Sequence, residues 1–288
     1  MAGEEGFLIF CSLGPAGRDR NDGYHRKGDI AMKMDRRRFF KILAAAAGGV
    51  ALIGGGIFIL KRDTDVLDDH FAATEKVLSS GFGRDNAAGL MRGIHREHES
   101  LVPGMPDIGG RENLFTEWLI YGVYYLSVYR VLRSKGLCLE EAGKTIFDTF
   151  RVLADHPKWL LKILGNFKYN KRYVRKLKLA VEKTQERRYP DDWVATFVQG
   201  DGEAFDYGID ITECGICKFY RAQGAEELAP YLCLSDYVVS NAFDRGLVRY
   251  KTVAEGADVC DFRYKSGRET FVSPLRSGWP PRFRSERG

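Results

Sequence analysis

Cys214, Cys217, Cys233 and Cys260 crowd into one stretch near the C-terminal end of a 288-residue chain. Cys214 and Cys217 stand at i and i+3, directly after a strand-like run and at the expected start of a helix that Thr212 would cap. Both thiols then share one helical face. A helix N-terminus favours the thiolate, the form that attacks electrophiles and binds metals. Cys233 and Asp236 repeat the spacing in the next helical piece, which lets a thiol and a carboxylate point together. Cys260 falls beside Asp261 in an expected hairpin strand. Helices laid against that sheet would bring the four thiols and Asp236 near one point.

Two kinds of chemistry fit such a set. One is attack on an electrophile by a cysteine thiolate with a carboxylate nearby. The other is a divalent metal held by Cys214, Cys217, Cys233 and Cys260 in a non-enzymatic metal- or small-ligand-binding module. A structural zinc site prefers two closely spaced cysteine pairs, which Cys233 and Cys260 do not form. Buried cysteines can also be plain small hydrophobes. His95 and His98 lie amid Arg96, Glu97 and Glu99, which fits solvent exposure better than ligation, and His70 and His156 have no partner evident in the sequence. There is no Gly-rich phosphate loop, no G-x-S-x-G elbow and no H-E-x-x-H pair.

The elements that must position these residues follow from periodicity. Helical spacing predicts helices over 66–78, 86–101, 113–132 and 137–156, with 113–132 apolar enough for a buried core helix. A short apolar helix is expected over 159–167. Residues 169–188 carry eight Lys and Arg against two Glu and read as a solvated helix face, with an anionic surface or ligand as the alternative. Strands are expected over 193–198 and 205–211 around Gly200 and Gly202, and over 247–253 and 259–264 around Gly256, with helices between them over 213–243. Helices followed by a ββ-αα-ββ antiparallel sheet unit make an α+β domain over 63–265. Residues 266–288, rich in Arg, Gly, Ser and Pro, read as a disordered tail.

The N-terminal part reads differently. Arg36 and Arg37 begin a basic and aromatic run that precedes an uncharged apolar run over 42–60. At about 1.5 Å per residue that run is long enough for a hydrocarbon core of roughly 30 Å. Residues 34–62 therefore resemble a twin-arginine export signal, retained as a single-pass membrane anchor because no small-x-small cleavage site follows. Basic residues before the span and Asp63, Asp65, Asp68 and Asp69 after it place the main domain on the periplasmic side. Expected partners are then the twin-arginine translocase, the membrane and a small-molecule substrate. Folding before export, in a reducing compartment, argues against disulfides. Residues 1–33 lack any helical period and read as a disordered or misassigned prefix, with Met34 the expected start. The first 62 residues hold 11 Lys and Arg against 6 Asp and Glu, and the remainder holds 33 of each, so the main domain is neutral and nucleic acid is not expected as a partner.

Residues 206–265 resemble the L-2-amino-thiazoline-4-carboxylic acid hydrolase family. The resemblance is carried by the strand into Cys214, the turn with Gly224, Glu227 and Leu228, the pair Cys233 and Asp236, and Gly256 followed by Cys260, Asp261 and Phe262. It implies ring opening of a cyclic isothiourea to an N-carbamoyl cysteine, classed as hydrolysis of a non-peptide C–N bond. It also implies a catalytic set of Cys214, Asp236, Cys233 and Cys260, with Arg221 or Arg249 binding the substrate carboxylate.

Overall fold

A computed structural model describes residues 63–275. Helices α1 (Asp63–Phe82), α2 (Arg84–Leu101) and α3 (Thr116–Ser134) come first. In α3 the apolar residues occupy all sides, and Leu119, Val123, Tyr125, Val128 and Leu132 are buried. A helix that is apolar all round belongs in the core, so α3 becomes the central helix that the 113–132 pattern predicts. Its tyrosines need partners once buried. Tyr124 donates to Thr74 Oγ1 at 2.7 Å, and Tyr125 Oη meets His70 Nδ1 at 2.7 Å. His70, partnerless to the eye in the sequence, is 7% exposed and also stacks on Tyr121.

Helices α4 (Leu139–Leu153), α5 (Lys158–Lys168) and α6 (Lys171–Thr184) follow. Cys138, apart from the other cysteines, is the N-cap of α4, and its backbone N–H donates to Glu141 Oε2 at 2.7 Å. Asn170 caps α6 through Oδ1, which accepts from the N–H groups of Arg172 and Tyr173. Helix α6 buries Leu177, Val181 and Thr184 and turns most of its basic residues outward, the solvated face expected over 169–188.

The pattern then switches to strands β1 (Val194–Gln199) and β2 (Tyr207–Glu213). Three short helices follow, α7 (Gly215–Ala222), α8 (Ala229–Cys233) and α9 (Ser235–Ala242). Strands β3 (Leu247–Arg249), β4 (Cys260–Tyr264) and β5 (Phe271–Val272) complete the chain's described part. The sheet order is β1-β2-β4-β3-β5. Strand β4 alternates, with Cys260, Phe262 and Tyr264 buried and Asp261 and Arg263 half-exposed, so one face meets the core and the other meets water.

The α+β class stands, and the antiparallel expectation needs one correction. Strand β5 pairs parallel to β3, which makes the sheet mixed. It lies within the stretch read as a tail. Its two residues were too few for a periodic signal, yet Val272 and Leu275 are 3% and 7% exposed and join the core. The arm expected over 247–253 is also shorter, because the chain leaves the ladder after Arg249 and turns into a 3₁₀ segment at Val253–Glu255. The prefix over 1–33, the signal and anchor over 34–62 and the tail beyond 275 lie outside the described residues. Among the described residues no helix is long and apolar enough to cross a membrane.

Close packing of α4 on α8 seats the segment that carries Cys233. A Cβ added at Gly143 of α4 would fall 2.0 Å from Cδ1 of the buried Tyr231 on α8. Gly143→Ala should therefore destabilise the fold by about 1–3 kcal/mol through overpacking. Urea unfolding followed by circular dichroism measures this, and an unchanged midpoint would mean that the two helices do not pack so closely.

Candidate functional site

Cys214 is the N-cap residue of α7, with extended backbone at φ −111° and ψ 120°. Contacts distant in sequence fix its place. Tyr220, fully buried on the next turns of α7, donates to the carbonyl oxygen of Gly122 in α3 at 2.9 Å. Gly215 lies under the ring of Trp193, where a Cβ would come within 2.6 Å, and Trp193 stacks on Phe115 with centroids 5.2 Å apart. No larger residue fits after Cys214 without moving that ring. Lys218 ties α7 to the carbonyls of Pro190 and Asp192, both at 2.8 Å, and to Glu213 at 2.6 Å. Thr212 is not the cap. It stays in β2 and donates to the Val194 carbonyl at 3.2 Å.

Cys214 is enclosed by protein on most sides yet keeps part of its surface open to solvent. A hydrogen bond from the Cys217 thiol holds its ionisation below the ordinary thiol range, against opposition from burial and Asp236. Its Sγ makes no short capping bond, but the N–H groups of Ile216 and Cys217 also favour its thiolate. The other three thiols go the opposite way. Cys217 is raised by its bond to Cys214, Cys233 is raised by burial, and burial pushes Cys260 up to about 12 while the Val253 N–H, 3.1 Å from Sγ, resists.

Cys233 ends α8 and Asp236 begins α9, so a near-continuous helical path through Leu234 keeps the pair adjacent, though on two helices. Asp236 forms an ion pair with Arg249, whose side chain is 2% exposed, while about a third of the Asp236 side chain remains accessible. Arg249 also donates to the Cys233 carbonyl at 3.1 Å and lies over the Phe262 ring at 5.3 Å. Burial raises the Asp236 carboxyl above its usual range even though Arg249 and Arg245 pull it down. Burial disfavours the Arg249 charge, but Asp236 and the nearby thiols outweigh that.

Cys214, Cys217, Cys233, Cys260 and Asp236 are thus near enough to shift one another's ionisation. The remaining expected groups are placed as follows. Arg221 points away, 74% exposed and paired with Glu226 at 3.1 Å, so it does not reach the site. Arg249 reaches it but is already committed to Asp236 and Cys233, which makes it a positioning residue. The metal alternative for Cys214, Cys217, Cys233 and Cys260 lacks support: among the described residues no group of three or more His, Cys, Asp or Glu is arranged to hold an ion. The five described cysteines are free thiols. Sequence reasoning missed Trp193, Lys218 and Tyr220 as the groups that place Cys214; the small residue at 215 between two cysteines was the one local signal.

A thiol shifted down and a carboxyl shifted up in one site follow the arrangement by which enzymes divide nucleophile from acid. Because its ionisation is lowered, the Cys214 thiolate fraction at any given pH exceeds that of an ordinary thiol. Iodoacetamide should alkylate Cys214 before Cys217, Cys233 and Cys260 at neutral pH, with a rate that reaches half its maximum at a pH below the ordinary thiol value. Peptide mapping against pH measures this, and earlier labelling of Cys260 would reverse the assignment.

No curated protein and no solved structure matches the chain significantly. The family model for L-2-amino-thiazoline-4-carboxylic acid hydrolase matches residues 119–264, half of the chain. That span runs from the core helix α3 to the end of β4 and contains Cys214, Cys233, Asp236, Arg249 and Cys260. A match over this span, around this set of thiol and carboxyl groups, means that the chain belongs to the L-2-amino-thiazoline-4-carboxylic acid hydrolase family.

Proposed function

We propose that the chain is a hydrolase that opens small cyclic amidine-like rings at the amidine carbon. The observation that carries this reading is the contrast between Cys214, held low, and Asp236, held high, within one site of a chain from this family. The Cys214 thiolate attacks the amidine carbon, a C–S bond forms, and the C=N electron pair moves to nitrogen. The adduct collapses as the bond to a ring heteroatom breaks, and that atom leaves with a proton from Asp236. Water then attacks the same carbon and gives one proton to the Asp236 carboxylate. Its second proton passes to nitrogen, a carbonyl forms, and the Cys214 sulfur departs as thiolate.

The departing atom depends on the ring. An N-carbamoyl cysteine keeps both nitrogens of 2-aminothiazoline-4-carboxylate on the central carbon, so the ring sulfur must leave. In a cyclic amidine without ring sulfur, nitrogen leaves and the bond broken is a non-peptide C–N bond. Cys217 steadies the Cys214 thiolate through its S–H, and Arg249 holds Asp236 in reach. Cys233 and Cys260, both pushed up, line the site as neutral thiols. The twin-arginine signal at Arg36 and Arg37 and a membrane anchor over 42–60 belong to the same proposal, with the domain on the periplasmic side.

Cys214→Ala and Asp236→Asn should each lower kcat/KM on 2-aminothiazoline-4-carboxylate by at least about 10²-fold, the lower end of general acid–base catalysis. Circular dichroism checks the fold, and a carbamoyl assay with a free-thiol assay reads the product and the bond broken. Near wild-type turnover by Cys214→Ala would remove the thiol from the reaction. Replacing Arg36 and Arg37 by Lys should abolish export, read by protease access in spheroplasts; continued export would end the signal assignment.

A further inference from the structure

A cavity of about 490 Å³, within the size range of small-molecule sites, opens between α6, the turn after α9 and the Tyr207 and Tyr264 end of the sheet. None of the thiols lines it. Its organising group is Arg245, whose guanidinium carbon lies 3.9 Å from the Tyr169 ring centroid and 4.2 Å from that of Tyr264. Arg245 also donates to Tyr207 Oη at 2.9 Å. The guanidinium is therefore held between two rings and lines the cavity. Its Nε is buried and has no hydrogen-bond partner among the described residues.

The acids that approach this cation are all engaged elsewhere. Asp244 pairs with Lys162 at 2.8 Å, and Asp206 with Lys265 at 3.3 Å and the Ser266 N–H at 3.0 Å. Asp236 is felt electrostatically but is bound to Arg249. Lys171, exposed at the start of α6, adds a second positive charge at the rim. The backbone supports the placement. Asp244 and Gly246, on either side of Arg245, both adopt positive φ, 54° and 57°. Positive φ is uncommon for residues other than Gly, and the two positions bracket Arg245.

We propose that this cavity binds a small flat organic carboxylate. The carboxylate meets the Arg245 guanidinium where it lines the cavity, and the ring packs against Tyr169, Tyr207, Phe243 and Tyr264. The proposal does not rest on the hydrolase reading, because binding here needs neither Cys214 nor Asp236.

Calorimetric titration of the full-length protein with benzoate, and with benzamide as its uncharged isostere, tests it. Benzoate should bind saturably and benzamide about tenfold more weakly, the value of one charge-assisted hydrogen bond. Arg245→Gln should lose about the same factor, the exposed Lys171→Glu should weaken benzoate several-fold, and Cys214→Ala should bind it as wild type does. If Arg245→Gln does not fold, Lys171→Glu and the benzoate-to-benzamide ratio carry the test. Equal affinity for benzamide, undiminished binding by folded Arg245→Gln, or no saturable benzoate binding by folded wild type would overturn the proposal.

Discussion

A guanidinium with 2% of its surface exposed must find its counter-charge and acceptors inside the fold, and Arg249 finds them in Asp236 and the Cys233 carbonyl. This one group joins β3 to the junction of α8 and α9 and rests on Phe262 of β4. Removing one partner of a buried pair leaves an uncompensated charge and typically costs about 3–5 kcal/mol, less where, as for Asp236, part of the side chain stays exposed. The arrangement of helix junction and sheet around the thiols is therefore tied to Arg249. Its closeness to Cys233 and Cys260 also adds a positive charge that partly offsets the burial of both thiols.

The two cysteines of one helical turn show how little sequence spacing settles about ionisation. Cys214 and Cys217 share a helix start, and a helix N-terminus alone would favour the thiolate at both. An S–H donor that stabilises one thiolate must keep its own proton, however, so the two thiols shift in opposite directions. Cys214 sits at the cap, facing the N–H groups of Ile216 and Cys217, and it takes the anionic role. Cys217, one turn inside, takes the donor role.

Long periodic elements were legible in the sequence. The core helix over 113–132 appears as α3, and the switch from helical to alternating period after Arg188 marks where the sheet begins. Local spacing also gave the adjacency of Cys214 to Cys217 and of Cys233 to Asp236. Contacts between distant residues were not legible. Arg221 and Arg249 look alike in sequence, both cations near the cysteines, but one lies on the solvent side of α7 and the other in a strand whose alternate residues face the core. The 3₁₀ segment after Arg249 and the parallel strand β5 were too short to carry a period.

The placement of Cys214 shows why a local motif is insufficient. Its backbone leaves β2 and enters α7 within two residues, a turn that Trp193 would block if residue 215 had a side chain. Trp193 is itself held by Phe115, and the Asp192 beside it accepts from Asn113 at 2.7 Å. Tyr220 then anchors the same short helix to α3 from the opposite end. A helix of this length is marginal alone, so its orientation, and with it the direction of the Cys214 thiol, is set by the segment between residues 113 and 122. The reactive group and the residues that aim it are therefore separated by nearly half of the described residues in sequence, yet the fold brings their elements together.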